Sequence, residues 1–244
     1  MSNRLARMTA RSVVLSVLLG AHPAWATAAE LIRLTADFGI NENALRVALT
    51  RMVAGGDLIR SADGYRLSDR LSARQRRQDD ALAPHVLPWD GTWTTVVITT
   101  VGNDARTRSS LRKMLQQKRF GELREGVWLR PSNLDLELSD DIAARMRVLR
   151  SHDAAPEELA RHLWDLPAWC TTGLALLNEM TAAEAVPGRF VAAAGMVRHL
   201  LSDPLLPEEL LPKGWPGDRL RSAYREFAAE LAARRDHIEV EAGR

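Results

Sequence analysis

Five side chains in the stretch ENALRVALTRMVA (42–54) have the chemistry to read base edges in a DNA major groove: Asn43, Arg46, Val47, Thr50 and Arg51. Arginine pairs with guanine or phosphate, asparagine with adenine, and an apolar group with the thymine methyl. On a helix turning about 100° per residue, all five fall opposite an apolar stripe of Leu45, Ala48, Leu49, Met52 and Val53. Two more arginines, Arg60 and Arg66, flank Asp63-Gly64, a strong two-residue hairpin signal. There they can lie against the phosphate backbone and position the protein without reading sequence. A polar face opposite a core stripe is ordinary, and helix-turn-helix units also bind proteins. What selects DNA is the conjunction of turn spacing, hairpin and concentrated arginine.

The charge distribution points the same way. The chain as a whole carries only +2, but residues 1–77 hold 12 arginines, no lysine and 6 acidic residues, a net of +6. A basic N-terminal module on a near-neutral body implies a polyanion partner, here double-stranded DNA. Other chemistry has little support. The single cysteine, Cys170, allows neither an intrachain disulfide nor a cysteine-based zinc site, and reads as a small buried apolar group. The six histidines are scattered outside any HxxxH or HExxH spacing, so no metal or cofactor is expected. Arg198 and His199 could meet an anionic group, but read first as helix-surface residues, and Trp164, Trp169 and Trp215 read first as core.

These side chains need elements to hold them. The pattern predicts a first helix over about 10–19 and a second over about 26–36. A turn at Gly39 follows, then a third helix capped by Asn41, stapled by Ile40 and Leu45, and ended by Gly55-Gly56. Strands Leu58–Ala62 and Tyr65–Ser68 then complete a winged helix-turn-helix. The start of the chain also mimics a secretory signal: Arg4, Arg7 and Arg11, an apolar run over 12–19, then Ala24-Trp25-Ala26. Cleavage after Ala26 would remove the first helix that the module needs for its core, which favours a cytoplasmic protein. No stretch reaches the roughly 18 apolar residues of a membrane span, so no membrane partner is expected.

Beyond residue 84 the period changes. TWTTVVITTV (92–101) is strand-like, 104–119 helical, GELREGVWLRP (121–131) two short strands, 138–145 helical and 146–152 a last strand. That order, β-α-β-β-α-β, is the ferredoxin-like plan. The remainder reads as helices over about 156–166, 168–184, 188–202 and 217–238, interrupted by the proline-rich loop DPLLPEELLPKGWPG (203–217). The expected class is therefore α+β in three parts: a winged helix-turn-helix (1–84), a ferredoxin-like domain (89–152) and a helical C-terminal domain (153–244).

LTADFGINENALRVALTRMVAGGDLIRSADGYRLS (34–68) resembles the winged-helix start of the phenylacetic-acid-degradation repressors, the PaaX family. WDGTWTTVVIT (89–99), FGELREGVWLRPSNL (120–134), LARHLWDLPAWCTTGLALL (159–177) and the proline loop fit the family in the same order. The resemblance implies a homodimeric repressor of a catabolic operon for aromatic or acyl-CoA metabolism, such as phenylacetate catabolism. It implies release from DNA by a small-molecule effector, an aryl-acyl-CoA thioester such as phenylacetyl-CoA, and a central domain similar to the Cas2 fold. Other members carry a Gly-containing insertion after the first helix where this chain has AHPAWATAA (21–29), a departure that bears on the ligand. The alternative is a metal-dependent nuclease on the Cas2-like domain. It needs an acidic residue at the end of the first strand. This strand ends Thr99-Thr100-Val101, and the nearest acid, Asp104, reads as a helix cap.

Overall fold

The computed structural model describes residues 8–100 and 104–242; Arg4, Arg7 and Val101, invoked above, lie outside them. By contact the chain makes two compact units. One runs to Leu82 and takes in Ala175–Arg198 and the residues from Asp218 on; the other is Ala83–Leu174 with His199–Gly217.

The first unit is built on α1 (Ala10–Gly20), α2 (Ala28–Ala36), α3 (Glu42–Ala54) and α4 (Asp69–Leu82), with a small sheet of β1 (Trp25–Ala26), β2 (Leu58–Arg60) and β3 (Tyr65–Leu67) in the order β1-β3-β2. The signal-like apolar run is α1. It starts at the Thr9 cap and buries Val13, Val14 and Leu18 completely where it packs on α2, α3 and α4. The second helix begins two residues later than the sequence pattern suggests. Thr27 and Glu30 form a reciprocal capping box that fixes its start, and this frees Ala26 to pair with Tyr65 in the wing. The same unit holds the second half of α8 (Leu166–Ala182), most of α9 (Val186–Leu200) and most of α10 (Gly217–Ala242). Phe190 of α9 meets Phe38 edge-on at 5.0 Å, and Arg221 of α10 donates to the Ala81 carbonyl at the end of α4.

The second unit has the β-α-β-β-α-β order: β4 (Trp93–Ile98), α5 (Ala105–Gln117), β5 (Gly121–Arg124), β6 (Val127–Pro131), α6 (Asp140–Ala143) and β7 (Met146–Ser151). The sheet is antiparallel throughout, in the order β5-β6-β4-β7. Alternation along β4 splits the core in two. Val96 faces α5 and α6 with Trp128, Leu111, Leu115 and Phe120. Trp93 faces the other side, where α7 (Pro156–Leu163), the start of α8 and the proline loop cover it through Ala160, Leu166, Leu206 and Leu210. The C-terminal stretch is thus shared between the units, because its loop has an apolar face that the central sheet needs. Asn133, almost wholly buried, holds the loop by donating to the Leu205 carbonyl at 2.8 Å. Arg130 is also buried. It donates to the Leu134 and Asp135 carbonyls and lies over the Phe120 ring, and desolvation lowers its pKa to about 10. Trp164 stacks on Trp93 at 6.5 Å, and Trp169 stacks between His199 and Trp215, 4.1 Å from each. Among the described residues no helix is long and apolar enough to cross a membrane.

Candidate nucleic-acid interface

The turn between α2 and α3 is set by Gly39. Its φ of 68° lies in the left-handed region, and its N–H closes on the Ala36 carbonyl while that of Ile40 reaches back to Thr35. Asn41 then caps α3 by accepting from the Ala44 N–H at 2.9 Å. The apolar stripe goes inward as expected: Leu45, Leu49 and Met52 are buried. Asn43, Arg46, Val47, Thr50 and Arg51 are all exposed on the other side. Val47 is 51% exposed, an unusual place for a β-branched apolar side chain unless a partner covers it. Thr50 donates its hydroxyl to the Arg46 carbonyl within the helix. The Arg46 guanidinium is held one turn back by the Glu42 carboxylate, at 2.5 and 2.8 Å. Arg51 forms no ion pair among the described residues.

The wing differs from the sequence pattern in its turn. Arg60 pairs with Tyr65 and the Ser61 N–H donates to the Gly64 carbonyl, so the two-residue turn is Ala62-Asp63 rather than Asp63-Gly64. Gly64 is required for another reason. A Cβ there would come within 2.5 Å of the Ala26 carbonyl oxygen, so only glycine lets β1 lie alongside. Arg60 and Arg66 are both exposed but do not share a face. Arg66 lies opposite Ile59, whereas Arg60 shares the side of the buried Leu58–Leu67 pair.

One buried carboxylate ties the wing to the helices. Asp57, 6% exposed at the start of β2, accepts from Arg11 of α1 at 2.7 and 3.0 Å and from Arg70 of α4 at 2.5 Å. Sequence reasoning counted all three only as charge; their pairing spans 46 and 13 residues and has no local signature. Glu42 was also missed as a partner, although its place four residues before Arg46 is a readable helix pair. In the second unit Asp104 caps α5, accepting from the Thr107 N–H at 2.7 Å. That bond is the main cause of its lowered pKa. Among the described residues no group of three His, Cys, Asp or Glu side chains could hold a metal ion.

Comparison with known proteins gives matches along the chain. Residues 9–71 match the profile described as PaaX-like protein, residues 87–157 that of the PaaX protein central Cas2-like domain, and residues 168–239 that of the PaaX-like protein C-terminal domain. The chain is 29% identical to the transcriptional repressor PaaX of Escherichia coli (strain K12) over 221 residues, covering 78% of this chain and 69% of that protein. Among solved structures it is similar to the uncharacterized protein Rv0674 from Mycobacterium tuberculosis, at 65% identity and a TM-score of 0.85, over 95% of this chain and 99% of that one.

Proposed function

We propose that this chain, which belongs to the PaaX family, is a DNA-binding transcriptional repressor acting in the cytoplasm on a catabolic operon. The observation that carries the proposal is the outer face of α3. Asn43, Arg46, Val47, Thr50 and Arg51 stand exposed together on a helix whose turn, cap and buried stripe fix its orientation. Their donors, hydroxyl and methyl groups are those that major-groove edges accept. Arg60 and Arg66 would add phosphate contacts from the wing. The 29% identical repressor supports a regulatory rather than an enzymatic role.

A single winged unit offers few base contacts, so useful specificity calls for two half-sites and a two-fold dimer. The reading therefore includes a homodimer, checked by the mass of the free protein at micromolar concentration. It also includes an effector, an aryl-acyl-CoA thioester or similar acyl-CoA, that binds the DNA-incompetent form more tightly. By linkage, operator DNA must then weaken effector binding by the same factor, for which about 1–3 kcal/mol of coupling is typical. Effector affinity measured with and without operator tests release; equal values in both states would remove it. The nuclease reading loses its carboxylate, because Asp104 is spent on capping α5.

A further inference from the structure

The first unit contains a cavity of about 390 Å³ walled by α1, α2 and α4 on one side and by α9 and α10 on the other. That volume falls in the range of small-molecule sites. Its walls are of two kinds. Val17, Leu34, Phe190 and Phe227 are apolar, while Arg74, Arg198, His22, Gln78 and Tyr224 bring polar groups. No carboxylate lines it among the described residues, and Arg74 and Arg198 form no ion pair among them. The one carboxylate tied to the wall among the described residues, Asp79, pairs with His22 at 3.1 Å rather than with either arginine, so two arginines beside an apolar pocket favour an anion with an apolar body. The Tyr224 hydroxyl lies near the backbone of Gly20, where a Cβ would come within 3.1 Å of it. Burial, with Asp79 adding to it, raises its pKa, so it stays a neutral hydrogen-bond donor.

We infer that this cavity is the effector site, taking a small anion whose aryl or acyl end enters between α1 and α10 and whose charge meets Arg74 and Arg198. The inference rests on the effector-released repressor reading and gives it a location. The site is also placed to act on DNA binding. Phe190 lines the cavity and touches Phe38, three residues before the cap of α3. α1, which supplies Val17 and Leu19 to the wall, packs its buried side on α3. An occupant that displaces either one shifts the turn or the helix that carries the reading face.

The test is calorimetric titration of the full chain with four probes: phenylacetate, octanoate, phenylacetyl-CoA and octanoyl-CoA. The free acids and the thioesters separate a carboxylate from a phosphate-bearing carrier as the source of charge. At least one probe should bind with a Kd of about 100 μM or tighter. The Arg74→Ala/Arg198→Ala double variant should weaken it at least about tenfold, the loss of a charged hydrogen bond, and the double lysine variant should recover part of that. Both arginines are exposed, so the thermal midpoint without probe should stay put. Ala193→Phe, which places a ring in the cavity, should abolish uptake by a second route. Equal affinity in the wild type and the double alanine variant overturns the site, and no uptake of any probe overturns the ligand class. Operator binding is measured on the same samples. A chain that takes up a probe but prefers no duplex would sink the repressor reading while leaving the site standing.

Discussion

Glu42 Oε1 lies 2.5 Å from Arg46 Nη2, one turn apart on the outer face of α3. Both side chains are more than half exposed, so the pair itself contributes little stability. On the proposed reading its consequence is for recognition: to contact DNA, the guanidinium would exchange this carboxylate for a base edge or a phosphate. Arg46→Ala should weaken cognate binding by about 1–3 kcal/mol and relax base preference at one position per half-site. Glu42→Gln should raise affinity for all duplexes by removing a negative charge near the phosphates. Fluorescence anisotropy on matched and single-mismatch duplexes reads both; an Arg46→Ala variant with wild-type affinity and an unchanged folding midpoint removes Arg46 from the reading face.

The two wing arginines should position without reading. Neutralising Arg60 or Arg66 should weaken cognate and random duplexes alike and reduce the salt slope by roughly one unit for each phosphate that no longer meets an arginine. Because they sit on opposite sides of the hairpin, the two variants need not be equal. A loss confined to the cognate duplex would mean that the wing reads bases.

Asp57 should be the most sensitive polar position of the first unit. Asp57→Ala leaves Arg11 and Arg70 without their shared carboxylate and removes the tie between wing and helices. Breaking a buried pair costs about 3–5 kcal/mol, but both arginines are more than half exposed, so about 2–3 kcal/mol is expected. For a chain of this size that corresponds to a fall in Tm of roughly 5–10 °C. A calorimetric midpoint within a degree of wild type would show that the clamp is dispensable.

The legible parts of this protein are those with local causes. The buried stripe of α3 repeats every three to four residues, Asn41 caps its own helix, and the β-branched run of β4 announces a strand. What was hidden depends on pairs far apart in the chain. β1 is only Trp25–Ala26 and exists because Gly64 leaves room for it, so α2 starts at Ala28, two residues after the point its apolar pattern indicates. The turn shifted by one residue for the same reason, since the glycine answers to Ala26 rather than to the turn. The boundary near 153 follows a change of pattern, but Leu206 and Leu210 pack under Trp93 about 110 residues earlier, and no periodicity reports that. The cavity likewise draws on five helices, and its arginines stand on two of them.

The Phe38–Phe190 contact should carry coupling rather than affinity. Phe38→Ala removes an edge-on ring pair at 5.0 Å between the helix-turn-helix turn and α9. Uptake of the binding probe should survive within about threefold, while the ability of that probe to release DNA should fall by about tenfold, the loss of roughly 1.4 kcal/mol of coupling. The measurement is probe affinity with and without duplex. Full release in the variant would place the transmission elsewhere, for example through α1.

The most direct test of the central claim is selection of bound duplexes from a random library by the full chain, followed by affinity measurement on the enriched sequence. The prediction is a two-fold site whose half-sites lie about one helical turn, 10–10.5 base pairs, or a multiple of it apart. Its dissociation constant should be roughly 10⁻⁸ M or tighter and at least about 10³-fold below that for random duplex, with the preference lost in Arg46→Ala/Arg51→Ala. No enriched sequence, or an enriched sequence bound equally well by that double variant, would contradict a repressor that reads DNA through α3.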